Sequence, residues 1–97
     1  MKILALEREK PDLTPAEVQP HLMDEARTAW KLVQEGTFRE MYFTAKEHTA
    51  VIMLETDSVE SARKILTGLP LVREGLIEFE VIPLRPYDGF ERLFNPE

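Results

Sequence analysis

The stretch LPLVREGLIEFEVIPL, residues 69–84, decides how this chain folds. From Leu76 onward it alternates as a strand does, since successive side chains point to opposite faces. Ile77, Phe79 and Val81 form one face, an apolar core face. Leu76, Glu78, Glu80, Ile82 and Leu84 form the other, which mixes two carboxylates with three aliphatics. That second face is either solvated or the wall of an enclosed space.

Working outward, KILALER (2–8) is a first strand with apolar residues on both faces. A loop follows, and then TPAE (14–17) reads as a helix start. Thr14 is the N-cap, Pro15 takes the first helical position and Glu17 completes a capping box. Pro20 interrupts and lets the helix restart. From there Leu22, Ala26, Ala29 and Val33 fall at spacings of four, three and four. This predicts one buried stripe, flanked by Met23 and Trp30. Gly36 is the stop signal. FREMYFT (38–44) is a second strand, with Phe38, Glu40 and Tyr42 on one face and Arg39, Met41 and Phe43 on the other. After an AKEH turn, TAVIMLET (49–56) is a third strand, apolar on both faces. Asp57 or Ser58 caps a second helix whose stripe is Val59, Ala62, Ile65, Leu66 and Leu69, closed by Gly68 and Pro70. The fourth strand runs from about Ile77 to Leu84. A tail, RPYDGFERLFNPE (85–97), places Phe90, Leu93 and Phe94 at helical spacing.

The order βαββαβ is the α+β, ferredoxin-like arrangement: a four-stranded antiparallel sheet in one domain over 1–97, with 85–97 as a C-terminal docking tail. Right-handed crossovers put both helices on one face of the sheet. In the usual strand order the first and third strands are central, and these are the two that are apolar on both sides. Left bare, the face opposite the helices would expose a larger apolar patch than monomers usually carry. A second copy, sheet against sheet, is the expected cover. Glu78 and Glu80 would then stand at the edge of an enclosed space, where a small-molecule pocket belongs.

Composition narrows the function classes. The chain has 97 residues, 43% of them hydrophobic, and a net charge of −6 with acidic and basic residues interleaved. Nucleic-acid binding is not expected without a concentrated basic face. There is no cysteine, which removes disulfides, thiolate metal sites and cysteine nucleophiles. His21 and His48 lack ligand spacing, so no metal site is expected. The N-terminal residues do not read as a signal peptide, and no apolar stretch reaches membrane-spanning length. A cytoplasmic protein without membrane association is the expectation.

Three segments carry a resemblance: QEGTFREMYF (34–43), SVESARKILTGLPL (58–71) and EFEVIPL (78–84). They resemble segments of the muconolactone delta-isomerases and, more broadly, of the dimeric α+β-barrel superfamily, which includes YciI-like proteins and cofactor-free monooxygenases. The likeness runs from about Asp24 to Leu84. It implies a homodimer joined through its sheet faces, sometimes built into a decamer, and a cofactor-free proton transfer on a small unsaturated lactone. Such chemistry needs a carboxylate or imidazole near the carbon acid and a cation or donor for the substrate's carboxylate. By matched position the catalytic candidates are Glu25, Arg39 and Glu80. Glu40 stands where the isomerases carry a histidine, and no basic residue remains near Tyr42 and Phe43.

Each candidate has two readings. Glu80, and with it Glu78, is either a base or substrate ligand in an apolar pocket or an edge-strand carboxylate, in water or paired across the dimer with Arg39. Arg39 either grips a substrate carboxylate or locks the dimer through Glu78 or Glu80. His21 is a group at the barrel mouth or a surface histidine. Trp30 and Tyr42 stack on a small apolar cyclic ligand or serve as packing residues. The function classes are an isomerase, a non-catalytic binding or assembly protein, and a cofactor-independent monooxygenase.

Overall fold

The computed structural model describes residues 1–95; the last two residues of the expected tail, Pro96 and Glu97, lie outside that range. Strand β1 (Lys2–Glu9) leads through a loop to the short helix α1 (Pro15–Val18). A 3₁₀ turn (Gln19–His21) then joins α1 to α2 (Leu22–Gln34). Strands β2 (Phe38–Phe43) and β3 (Ala50–Glu55) form a hairpin, and α3 (Val59–Thr67), α4 (Pro70–Arg73) and β4 (Ile77–Pro83) complete the βαββαβ order. The sheet is antiparallel throughout, in the order β2-β3-β1-β4. The two central strands are β1 and β3, as their doubly apolar faces predict. No helix among the described residues is long and apolar enough to cross a membrane.

Local signals act where the sequence places them. The side chain and backbone of Thr14 and the side chain of Glu17 form the full capping box, with Pro15 at the first helical position. Pro20 lies in the 3₁₀ turn that splits α1 from α2. Gly36, at φ +81°, takes the left-handed conformation just beyond α2 that a β-carbon would strain.

Ile3 and Ala5 of β1, Phe38 of β2 and Ile52 and Leu54 of β3 pack against Ala62, Leu66 and Leu69 from the α3 segment. The strand residues among them belong to the helix-covered face of the sheet. Leu71 of α4 packs with Leu76 and Ile77 in a second cluster.

Gly68 closes α3 as expected, and Pro70 beyond it opens a further short helix, α4, where its missing N–H costs nothing. Two expectations need correction. A register shift between Phe38 and Glu40 breaks the alternation of β2. Phe38 therefore shares the core face with Met41 and Phe43, which pair with Ile52 and Ala50. Glu40 and Tyr42 are left on the open face. Lastly, the stripe expected on α2 faces the sheet but is not buried: Leu22, Ala26 and Ala29 line a cavity between the layers, and no residue of α2 is fully buried. Ala29 and Leu32 pack on the core, whereas Leu22 and Val33 are 43% and 37% exposed. The inward side carries Glu25, whose carboxylate is used to bond α4.

Candidate functional site

At the end of the sheet where β1 finishes, the helix layer and the sheet separate into a cavity of about 400 Å³. Small residues face each other there: Ala26 and Ala29 on α2, Ala50 on β3. With no bulk on either side, the layers cannot close. The walls are mostly aliphatic and aromatic, including Leu13, Val18, Ile52, Leu69, Ile77 and Phe79. The ionisable groups in this lining are Glu7, Glu9, Glu25 and His48.

Glu25 reaches the cavity because α2 turns it inward. Its Oε1 accepts the backbone N–H of Leu71 at 2.9 Å, which ties α2 to α4. Burial raises its pKa above the ordinary carboxylate value. The Leu71 N–H opposes that rise, the charge of Glu7 adds to it, and Arg73 and His21 pull it down. The outcome is a half-buried carboxylate with enhanced basicity in an apolar setting.

Glu7 arrives by strand alternation. Ile3, Ala5 and Glu7 share the helix-facing side of β1. The β1–β3 ladder ends at the pair Leu6–Val51, so the next donor, the N–H of Ala50, has no strand partner in it. The Oε1 of Glu7 accepts that N–H at 2.8 Å. Burial also raises the Glu7 pKa, against the lowering effect of this hydrogen bond; Glu9 raises it further and His48 lowers it.

His48 adopts φ +59° in the β2–β3 turn and stacks on Phe43, with ring centroids 3.9 Å apart and planes within 15°. The pair forms one aromatic wall of the cavity.

The other sequence candidates lie elsewhere. Glu80 and Glu78 are exposed on the opposite face of the sheet, and Glu80 forms an ion pair with Arg8. Arg39 is exposed on β2 and donates from Nε to the carbonyl of Gly36. Strands β2 and β4 are the two edges of the sheet, three interstrand spacings apart, or roughly 14 Å. Within one subunit Arg39 and Glu80 therefore cannot pair. Tyr42 is 59% exposed on the open face and donates its hydroxyl to Glu40 at 2.6 Å. Trp30 is 61% exposed on α2. His21 is half-buried just before α2 and acts on the Glu25 carboxylate from outside the cavity lining. Of the seven candidates, only Glu25 borders the cavity.

Glu7 and His48 escaped the sequence reading. A signal for Glu7 was present: the core-face series Ile3, Ala5 continues into Glu7 and Glu9, two carboxylates on an apolar phase. No comparable signal marks His48, whose place depends on a turn conformation.

The family model for muconolactone delta-isomerase matches residues 5–89. The chain belongs to the muconolactone delta-isomerase family. A crystal structure of muconolactone isomerase superposes with a TM-score of 0.75 at 27% identity, covering 91% of this chain and 92% of that one. A 5-chloro-2-hydroxyhydroquinone dehydrochlorinase from Burkholderia phenoliruptrix AC1100, in complex with 2,5-dihydroxybenzoquinone, superposes with a TM-score of 0.66. At 13% identity over 92% of this chain and 98% of that one, it shares the fold. A comparison with curated proteins finds no match. The ferredoxin-like α+β fold expected from the element order is thus also that of a muconolactone isomerase.

Proposed function

We propose that this member of the muconolactone delta-isomerase family is a cofactor-free enzyme that shifts a proton within a small unsaturated lactone or similar cyclic compound, with Glu25 as the proton carrier. The observation that supports this reading is the placement of Glu25: a carboxylate of raised basicity, fixed by the Leu71 N–H, on the wall of a mostly apolar cavity that it shares with Glu7, Glu9 and His48. A carboxylate in that state is a better base towards a carbon acid than one in water, because desolvation penalises its charged form.

The step balances without any co-reactant. Glu25 accepts a proton from a ring carbon conjugated with the lactone carbonyl, and the C–H electron pair delocalises into a dienolate. The same carboxyl group then returns the proton to the carbon at the other end of the conjugated unit. The double bond moves, and nothing is oxidised or reduced. The apolar walls exclude water, which would otherwise compete for the proton.

The working unit we propose is a homodimer joined through the open sheet faces. Leu4 and Leu6 of β1, Val51 and Met53 of β3 and Ile82 of β4 are only partly covered within one subunit, and together they make a continuous apolar strip. The tail supports the same picture. The radius of gyration is 16.1 Å, against about 13 Å for a compact chain of this length. Tyr87, Phe90, Leu93 and Phe94 are each at least 65% exposed, a docking element with nothing of its own subunit to dock on.

The test is spectroscopic turnover of muconolactone and of its uncharged methyl ester by wild type and Glu25→Gln. Isomerisation of at least one by wild type, falling by about 10²- to 10⁴-fold in the variant, is expected. Inactivity of wild type on both, or full activity of the variant, refutes the role of Glu25.

A further inference from the structure

We infer that the cavity selects an uncharged ring over one bearing a free carboxylate, and that Glu7 sets this preference. The inference rests on the proton-transfer reading above and narrows its substrate class. Muconolactone itself carries a carboxymethyl group, and a site made for it would be expected to offer a cation. The ionisable groups in this lining are three carboxylates, Glu7, Glu9 and Glu25, and one imidazole, His48. No lysine or arginine is among the lining residues described. Arg8 is committed to Glu80 on the other face of the sheet, Arg39 to the Gly36 carbonyl, and Arg73, whose charge reaches Glu25 from outside the lining, pairs with Glu74.

Glu7 is the decisive member because it is held in place, as Glu25 is, but takes no part in the proton transfer. The N–H of Ala50, left over where the β1–β3 ladder stops, anchors its carboxylate at 2.8 Å against the cavity wall. A glutamate free to swing would turn to solvent and be screened. A cavity of about 400 Å³ is roughly 9 Å across if taken as a sphere. Any ligand carboxylate inside would therefore lie within about one Debye length of both Glu7 and Glu25, where salt screens little. Repulsion across such a gap, in a medium of intermediate dielectric, weakens binding by at least tenfold per fixed negative charge. An uncharged ring avoids that repulsion and keeps the contacts to Ile52, Phe79 and the Phe43–His48 wall.

The preference is read by giving the full-length protein muconolactone and its methyl ester, and measuring kcat/KM for each. Wild type should favour the ester by tenfold or more. In Glu7→Gln the amide oxygen can still accept the Ala50 N–H, so the fold is retained, and melting curves check that. The ratio should move towards the acid by about tenfold, mainly through the KM of the acid. Equal use of acid and ester by wild type, or a ratio unchanged in Glu7→Gln, overturns the inference. Should Glu7→Gln fail to fold, Glu9→Gln, whose side chain lines the same cavity, is expected to move the ratio in the same direction, and no movement counts against the inference. Should neither compound be turned over, the proton-transfer reading fails on its own. Calorimetric titration with the two compounds then decides the charge preference: tighter binding of the ester supports it, and equal, reversed or absent binding overturns it.

Discussion

Replacing Glu25 by glutamine should remove activity and at the same time stabilise the protein at neutral pH. The side chain has two opposed effects on stability. Its Oε1 accepts the Leu71 N–H, a part-buried bond joining α2 to α4. Its charge, meanwhile, is costly to bury, and that cost is what raises its pKa. Glutamine keeps an acceptor and loses the charge; alanine loses both. An unsatisfied part-buried N–H costs about 1–3 kcal/mol. For a domain of this size each kcal/mol moves Tm by about 4–8 °C. The expected order of Tm at pH 8 is Glu25→Gln above wild type, with Glu25→Ala below Glu25→Gln by roughly 4 °C or more.

The pH dependence follows from the direction of the shift. For a carboxyl whose folded pKa lies above its unfolded value, the penalty is absent below the unfolded pKa. It grows as pH rises towards the folded pKa, and is complete above it. The advantage of Glu25→Gln over wild type should therefore be larger at pH 8 than at about pH 4, below the ordinary carboxylate pKa. Thermal melts by circular dichroism at fixed protein concentration measure it. A Glu25→Gln protein less stable than wild type at pH 8, or equal in stability to Glu25→Ala, would refute the reasoning.

Three further outcomes are expected. Glu80→Gln, on the face away from the cavity, should cost less than tenfold in turnover in the assay where Glu25→Gln costs a hundredfold or more. Ile52→Ala removes a side chain that is 1% exposed beneath the helices and should cost about 2–5 kcal/mol in denaturant titrations. Met53→Lys puts a charge in the centre of the open sheet face, and light scattering should show a smaller assembly than for wild type.

Short-range signals in this chain translated directly into structure. Thr14, Pro15 and Glu17 make their cap from atoms three residues apart, and Gly36 needs only its own φ. The doubly apolar β1 and β3 lie in the centre of the sheet because only central strands are shielded on both sides. The failures arose wherever a distant partner decides. The α2 stripe is sound as periodicity, with Leu22, Ala26 and Ala29 turned to the sheet, yet that same side carries Glu25, whose carboxylate is held by the Leu71 N–H 46 residues away. One extra residue in β2 reversed the faces of Glu40 to Phe43, a change that alternation cannot reveal.

Sequence by itself determined the element order, the antiparallel sheet with its central pair, and the presence of an apolar surface in excess of what one subunit covers. Patterning fixes these because burial rewards whole faces, whatever lies opposite. Tertiary structure alone decided that the cavity opens on the helix side of the sheet and that Glu7, Glu25 and His48 border it while Glu78, Glu80 and Arg39 do not. A cavity is a mismatch between two layers, here the alanines of α2 over Ala50. No single segment encodes a mismatch; it exists only once the layers have been brought together.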